Sequence, residues 1–360
     1  MGFVRFLLAL SVVSFHSDNL TNFRFFHQSL AVVSFFIISG FYMSLVLDTK
    51  YRPLKKRYKT FITNRFLRIY PLYFVVLFLT VGSSIIKYFF HIGTPDNAIT
   101  HYLFFLPQTT HEGLETINFI FRNLTLLLTT DYFSVGSRGP GFLIIQQAWS
   151  LQIELLFYLI VPFLFYMKKK FLVILSILYL LLFFGYFHLY HHMEQPTLTY
   201  RFFEYFVFFL LGIGSYYLYK KMHKLSIPPI YHKIISGITI VYIVLYTILP
   251  HSSPAHIYDM TTFPYYLFLT LAIPSIFIIS KKSAIDAFIG GISYPLFVSH
   301  IFFIKLFQNI SFISPSVSFL AAILVAIIGS ILLMLFIENP LDTFRDKLFQ
   351  KEKSSLKKRS

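Results

Sequence analysis

The stretch FVRFLLALSVVSFH, residues 3–16, is apolar apart from small serines, Arg5 and the terminal His16. Strongly polar side chains are costly inside lipid, so each of these two calls for a functional reason. The eleven positions between them correspond to about three helical turns and ~16 Å of rise, which places both side chains on one face. The stretch therefore predicts a membrane helix with a cation near one membrane surface and a titratable imidazole deeper inside.

The composition of the whole chain points the same way. Of its 360 residues, 56% are hydrophobic and only 13% are charged, whereas about a quarter are charged in soluble proteins. The lack of cysteine excludes disulfides, thiolate metal sites and a cysteine nucleophile. A net charge of +16 would favour nucleic acid as the partner of a soluble protein. Here the cations lie between apolar runs, so we expect an integral membrane protein that contacts membrane lipids and no nucleic acid.

Ten apolar runs are long enough to span a bilayer as helices, for which about 17–25 residues are needed. These runs lie near residues 3–19, 29–47, 69–90, 146–166, 171–188, 200–219, 234–250, 262–280, 287–306 and 315–337. With a cytoplasmic N-terminus, 25 of the 31 Lys and Arg residues fall on the cytoplasmic side, as the positive-inside rule requires. The sequence therefore predicts an all-α integral membrane fold, a bundle of about ten transmembrane helices with the N-terminus and the C-terminus cytoplasmic.

The runs form a single predicted domain. Residues 1–340 hold all of them as a membrane domain, and residues 341–360 are predicted to be a basic cytoplasmic tail. The one long connector, His91 to about Ile145, faces outward, and its semi-apolar stretch Ile117 to Leu128 fits an interfacial or re-entrant helix. Glycines and a proline at 136–141 predict a turn. A cleaved signal peptide is the alternative for the first run, but no small-residue cleavage pattern follows it.

Three titratable side chains from three predicted helices lie at similar depth. At ~1.5 Å per residue, His16 and His300 lie ~15–20 Å from the cytoplasmic face, and Glu154 lies ~12 Å below the outer surface. A general base that acts on a hydroxyl needs at least a buried neutral imidazole and a carboxylate that orients it. His16 and Glu154 fit these roles; the alternative is that they only bridge helices by hydrogen bonds. His300 fits a structural role, an acceptor-side role or a chemical role equally well.

Arg65 and Arg68 form an Arg-x-x-Arg pair at the cytoplasmic start of the third run. Two residues three positions apart share a helix face, and a planar guanidinium binds phosphate oxygens in pairs. The pair therefore favours a phosphorylated ligand from the cytoplasm. The alternative is a positively charged anchor that contacts lipid head groups.

Several patches of the sequence resemble one family. They are Arg5 to His16, FFIISGF at 35–41, RFLRIYP at 65–71, WSLQIELLFY at 149–158 with Pro162 after it, ISYPLFVSH at 292–300 and FIENP at 336–340. In this order, and over nearly the whole chain, they resemble the acyltransferase family 3 proteins, which are integral membrane O-acyltransferases of cell-surface glycans.

The resemblance implies transfer of an acyl group, most often acetyl, from acyl-CoA to a sugar hydroxyl. The implied acceptor is a surface polysaccharide such as lipopolysaccharide O-antigen, or its lipid-linked precursor, and the implied location is the bacterial cytoplasmic (inner) membrane. The resemblance also implies that Arg5 and His16 are an essential pair, that Arg65 and Arg68 lie at the coenzyme site, and that Glu154 belongs to the core tryptophan motif. We expect acetyl-CoA or another acyl-CoA as co-substrate and no metal.

The spacing of the residues agrees with that chemistry. Coenzyme phosphates held by Arg65, Arg68 and Arg5 would lie one helix length, ~16 Å, from His16, which would deprotonate a sugar hydroxyl for direct attack on the thioester. An acyl-histidine intermediate on His16 is the alternative route. Further candidates for binding the substrate or the oxyanion are Ser39, Trp149, Ser150, Tyr294 and His300.

A transporter or flippase of a glycan or amphiphile is the competing function, because ten spans with charges at depth and interrupting prolines also describe carriers. The arginine pair beside His16 discriminates between the two, since a flippase has no need of coenzyme A. The sequence does not predict the oligomeric state, the acyl group or the sugar position.

Overall fold

The structure is a computed structural model that describes residues 1–16, 28–91, 99, 110–126, 143–190, 198–225, 227–246, 262–307 and 315–357. Every regular element in these ranges is a helix, so the predicted all-α class is confirmed. The α-helices are α1 (Gly2–His16), α2 (Gln28–Val46), α3 (Arg57–Phe90), α4 (Thr110–Thr125), α5 (Trp149–Tyr166), α6 (Lys169–Tyr190), α7 (Leu198–Lys224), α8 (Pro229–Tyr246), α9 (Phe263–Ser280), α10 (Ala284–Phe307), α11 (Pro315–Leu333) and α12 (Asn339–Lys357). Short π-helical turns lie at Leu47–Tyr51 and Met334–Glu338.

Seven helical segments of the described chain are long and apolar enough to cross a membrane. They are Gln28–Tyr51, Arg57–Phe90, Gln146–Tyr166, Phe202–Lys224, Phe263–Ser280, Ala284–Leu306 and Leu320–Ser354. The other three predicted runs coincide with shorter apolar helices of the described chain. These helices are Gly2–His16, Lys170–Leu182 and Pro229–Leu245. The chain is thus an integral multi-pass membrane protein, while the count of ten spans and the cytoplasmic location of both termini stay predictions.

A close backbone contact holds α1 against α10. A Cβ atom built on Gly290 would lie only 2.6 Å from the Cα of Gly2, and small-residue contacts of this kind are how helices pack in lipid. The Asp286 carboxylate accepts hydrogen bonds from the Gly2 and Phe3 amides at 2.7 and 2.9 Å. It thereby satisfies two of the free N–H groups that every helix start leaves. The two helices begin at the same level, which fixes the height of every α1 side chain relative to α10.

A second close contact joins α2 to α7. A Cβ atom built on Gly212 would lie 2.1 Å from the Ile37 carbonyl oxygen, so no side chain fits between the two backbones. Aromatic rings fill the adjacent space: Phe209 stacks on Phe157 of α5 with 4.0 Å between ring centroids and contacts Phe36 at 4.8 Å. These contacts bring α2 and α5 together and so place the polar residues of α2 opposite those of α5.

The described part of the long connector between α3 and α5 is anchored on α3. The Tyr70 and Tyr73 hydroxyls donate to the carbonyl oxygens of Thr125 and Asn123 at 2.5 and 2.6 Å. These carbonyls belong to the last turn of α4, where helix carbonyls lack partners of their own. The Asn123 side chain accepts a hydrogen bond from the Ile144 amide at 2.9 Å, which ties α4 to the segment that leads into α5. The turn predicted at 136–141 lies outside the described residues.

The segment predicted as a basic tail is helical as far as Lys357 and packs on the bundle. Within α12, Asp346 pairs with Lys50 at 2.9 Å, and the Phe349 ring lies 6.0 Å from that of Tyr51. The Lys50 ammonium also lies 4.6 Å from the Phe349 ring centre. Residues beyond 340 therefore contribute a packed helix to the fold, a feature that their charged composition does not reveal.

Candidate active site

Five helices, α1, α2, α3, α5 and α10, line a cavity of about 270 Å³. Seven of the residues predicted for the site line it: Arg5, Ser39, Arg65, Arg68, Ser150, Glu154 and Tyr294. Side chains of this kind are expected to face the interior of a helical bundle, because contact with lipid would leave them without partners. The other lining residues are largely apolar or aromatic. Residues that are far apart in sequence thus form one polar chamber inside the membrane-spanning bundle.

Arg65 is a buried cation with an unused donor. Its side chain is 8% exposed, and its guanidinium carbon lies 5.6 Å from the Phe61 ring centre and 5.9 Å from the Tyr158 ring centre. Nη1 contacts the sulfur of Met43 at 3.8 Å. Within the described residues, the buried Nε–H has no hydrogen-bond partner. Aromatic faces offset part of the lost hydration of the charge, but they leave the guanidinium able to donate to an anion.

Arg5 and Arg68 share one electrostatic environment. The two guanidinium groups repel each other, and each is attracted by Glu154 and by Glu338. Glu338 belongs to the π-helical turn that precedes α12, and the sequence patterns assigned it no role. The cavity wall itself carries three guanidinium groups and a single carboxylate, that of Glu154. Its excess of positive charge favours an anionic ligand.

Glu154 binds the hydroxyl groups of two neighbours. Its Oε1 accepts hydrogen bonds from Ser39 Oγ at 2.7 Å and from the Tyr158 hydroxyl at 2.5 Å. A hydrogen bond from His16 to Glu154, as the sequence suggested, is not among the contacts of the described residues. The similar depth that residue counting predicts for the two residues does not imply a contact, and in the structure α1 and α5 present them to different neighbours. Tyr158 follows Glu154 by four positions, a spacing that brings side chains together on a helix and that could have identified it.

The three hydroxyl groups predicted to bind the oxyanion or the sugar all have partners within the protein. Ser39 donates to Glu154, Ser150 donates to the Gln147 carbonyl at 3.0 Å, and Tyr294 donates to the Ile69 carbonyl at 2.8 Å. A hydroxyl has only one proton to donate. Each would have to give up its present acceptor before it could donate to a substrate, so among the predicted site residues that line the cavity the ready donors are the guanidinium groups.

His16 and His300 form a pair just beyond the cavity lining. Their ring centroids lie 5.2 Å apart, and the ring planes are tilted by 39°. His300 is fully buried, while His16 is half-buried. The Phe297 ring lines the cavity and lies 6.3 Å from the His300 ring, so the pair adjoins the chamber. Within the described residues no group of three or more His, Asp or Glu side chains is placed to hold a metal ion.

Trp149 lies outside the cavity. Its ring packs on Tyr205 of α7 with 5.3 Å between centroids. It immediately precedes Ser150, whose side chain does line the chamber. The structure therefore gives Trp149 a contact that fixes the start of α5, and does not bring it to the predicted substrate site.

Comparison with known proteins identifies a family. A family model described as an acyltransferase domain, that of acyltransferase family 3, matches residues 1–335. This range includes α1 to α11, and thus every helix of the cavity, and it ends before Glu338 and α12. No curated protein and no solved structure matches the chain. Because the matched range is nearly the whole chain and contains the arginine-lined chamber, this protein belongs to the acyltransferase family 3 membrane proteins.

Proposed function

We propose that this protein is a membrane O-acyltransferase that moves an acyl group, with acetyl as the first candidate, from cytoplasmic acyl-CoA to a sugar hydroxyl. The proposed acceptor is a cell-surface polysaccharide such as lipopolysaccharide O-antigen, or its lipid-linked precursor. Family membership supports acyl transfer, and the apolar helices support a location in the membrane. The observation that carries the proposal is the chamber in which three arginines and one carboxylate meet inside the helical bundle.

The positive charge of the chamber supports a phosphorylated donor. A guanidinium group forms paired, charge-assisted hydrogen bonds with phosphate oxygens, and Arg65 has a buried N–H that is unused within the described chain. We assign the coenzyme phosphates to Arg65, Arg68 and Arg5. A neutral glycan would leave the excess charge of the wall uncompensated, which is costly in a membrane interior. The charge therefore favours acyl-CoA as a ligand and gives no support to a flippase of a neutral glycan.

The proposed reaction uses His16 as general base. The sugar oxygen attacks the thioester carbonyl carbon while its proton passes to His16, so that a C–O bond forms and the C–S bond breaks. The coenzyme leaves as a thiolate and takes the proton back from the His16 imidazolium. The products are an O-acyl ester and free coenzyme A, and His16 is restored. The rise of ~16 Å between Arg5 and His16 separates the phosphate site from the reacting carbonyl.

Glu154 is proposed to act on the donor side of the chamber. Its carboxylate holds Ser39 and Tyr158 and attracts Arg5 and Arg68. It therefore fixes α2 relative to α5 and offsets part of the charge of the arginines. This role differs from the orienting role that the sequence suggested, in which Glu154 would contact His16.

Mass spectrometry of surface glycan tests the proposal. A strain that lacks its own copy of the protein would be complemented with the wild type, with His16→Ala and with His232→Ala as the control. His232 is also a histidine of an apolar helix, but it pairs with Ser275 at 3.0 Å, and the two helices of this pair, α8 and α9, contribute no residue to the chamber lining. We expect added acyl mass with the wild type and the control and none with His16→Ala, at equal protein levels in the membrane.

Two results would contradict the proposal. Full acylation with His16→Ala would remove His16 from the mechanism, and no added acyl mass with the wild type would remove the glycan as acceptor. A binding measurement on purified protein tests the donor separately. Coenzyme A should raise the thermal unfolding midpoint and glycan alone should not, whereas a glycan carrier would show the reverse.

A further inference from the structure

His300 holds its imidazole in one tautomer. Its side chain is 0% exposed, and Nδ1 lies 2.8 Å from the Phe297 carbonyl oxygen and 3.2 Å from that of Leu296. A carbonyl oxygen only accepts hydrogen bonds, so Nδ1 carries the proton and Nε2 presents a lone pair. Nε2 is buried, and no donor reaches it within the described residues. A buried acceptor without a donor costs free energy and calls for an explanation.

The fold brings His16 to this unused acceptor. Asp286 caps the start of α1, and His16 follows Gly2 by as many residues as His300 follows Asp286. Helices that start together and rise equally bring the two side chains to the same level. The ring centroids of His16 and His300 accordingly lie 5.2 Å apart. At this separation two facing ring nitrogens approach to about 3 Å, the ordinary hydrogen-bond distance.

We infer that His300 is a positioning residue, whose Nε2 accepts a hydrogen bond from an N–H of His16. The inference rests on the proposed function, in which His16 is the general base. Because the torsion of a histidine ring about its Cβ–Cγ bond is broad, His16 can turn its N–H toward His300 at little cost. Its other nitrogen then presents a lone pair to the acceptor hydroxyl.

His300 gives His16 the orienting partner that Glu154 does not provide. A general-base histidine needs a partner that fixes its tautomer and stabilises the imidazolium that forms. His300 accepts from His16 and in turn donates through Nδ1 to two backbone carbonyls of α10, so the chain of hydrogen bonds ends on rigid backbone. Both residues are uncharged before the reaction, which suits a site buried among apolar helices better than a further carboxylate.

Two substitutions separate this role from a purely structural one. The amide of His300→Asn takes the place of Nδ1 and keeps the donation to the Phe297 carbonyl, but it removes the acceptor at Nε2. The amide of His300→Gln takes the place of Nε2 and keeps an acceptor toward His16. If His300 only donates to backbone carbonyls, the His300→Asn variant should keep its activity. If His300 positions His16, the His300→Gln variant should keep more activity than the His300→Asn variant.

The first measurement needs no substrate. Protein labelled with ¹⁵N-histidine, in lipid nanodiscs, would be examined by NMR, with the His16 signals assigned by their loss in His16→Gln. We expect one His16 tautomer in the wild type and a mixture of tautomers in His300→Asn. Ser299→Ala is the control, because Ser299 neighbours His300 and donates to the Pro295 carbonyl, and the contacts of the described residues include no hydrogen bond between Ser299 and His16. An unchanged His16 spectrum in His300→Asn would overturn the inference.

The second measurement is the rate of glycan acylation in cells. We expect His300→Asn to lower it about 10²-fold, the lower end of what a general base contributes, and His300→Gln to lower it less. Equal losses in both variants, at equal thermal stability, would also overturn the inference. If the wild type adds no acyl mass while the His16 tautomer still depends on His300, the proposed function fails and the pairing of the two histidines stands.

Discussion

Replacement of Arg65 by methionine should weaken the binding of coenzyme A and leave the stability of the protein nearly unchanged. The guanidinium is 8% exposed and its Nε–H is unpaired within the described chain, so donation to a phosphate would be worth about 1.5–3 kcal/mol as a charge-assisted hydrogen bond. Its loss should weaken coenzyme A binding by about 10- to 150-fold. Methionine has a similar length and keeps the packing on Phe61 and Tyr158.

The ligand-free protein should hardly change. Removing an unpaired buried donor gains about 1–3 kcal/mol, whereas losing two cation–π contacts costs about 1–2 kcal/mol. These terms nearly cancel, so we expect the free energy of unfolding of Arg65→Met to lie within ~2 kcal/mol of that of the wild type. Arg57→Met is the matched control, because Arg57 also lies in α3 and stacks on an aromatic ring, that of Tyr166 at 4.1 Å, but is exposed and does not line the chamber.

Isothermal titration of purified protein with coenzyme A gives the dissociation constants, and calorimetric unfolding without ligand gives the stabilities. The expected pattern is weak binding with Arg65→Met and wild-type binding with Arg57→Met. Equal affinities in all three proteins would refute the assignment of phosphate to Arg65. A collapse in the stability of ligand-free Arg65→Met would refute the argument that this cation is not needed for folding.

Two further substitutions test the packing around the chamber. Tyr158→Phe removes one of the two hydroxyls on the Glu154 carboxylate and should lower the free energy of unfolding by about 1.5–3 kcal/mol; an unchanged thermal midpoint would contradict this. Gly212→Ala would bring a Cβ within 2.1 Å of the Ile37 carbonyl and should cost about 1–3 kcal/mol or more. Gly214→Ala is the control, because a Cβ at Gly214 would have no atom within 4 Å. Size-exclusion profiles after heating should show loss of folded protein for Gly212→Ala and none for Gly214→Ala. Equal losses of folded protein in the two variants would contradict the close contact of Gly212 with Ile37.

Part of the contents of the chamber follows from a simple rule of membrane sequences. Arg65 and Arg68 precede the third apolar run and are not covered by it, but Arg5 and Glu154 are strongly polar residues within apolar runs, and lipid excludes these two from the outer faces of helices. A shared interior location is therefore predictable without knowledge of the fold. The family resemblance adds their chemistry, which burial alone does not specify.

The pairings inside the chamber were not predictable in the same way. Counting residues gives the depth of a side chain but not the direction in which it points around the helix axis. Residue counting predicts a similar depth for His16 and Glu154, yet the structure pairs His16 with His300 and Glu154 with Ser39. The direction is set by which helices approach closely, and this depends on long-range contacts such as that of Gly2 with Gly290. Only Tyr158 carried a local signal, its position four residues after Glu154.

The geometry of α1 suits the two reactants of opposite character in the proposed reaction. Its first turn carries Arg5 into a wall with two other guanidinium groups, where a polyanion is favoured and a neutral sugar gains little. Its last turn carries His16 to a fully buried, uncharged histidine, where a neutral hydroxyl is favoured and a phosphate would find no counter-charge. About 16 Å of helix separates the two environments. Since Asp286 and the glycine contact fix α1 along α10, a shift of α1 by one turn would move Arg5 away from Arg68 and His16 away from His300 together. The proposed positions of the donor phosphates and of the general base thus depend on the same few contacts at the start of α1, far from the proposed reacting atoms.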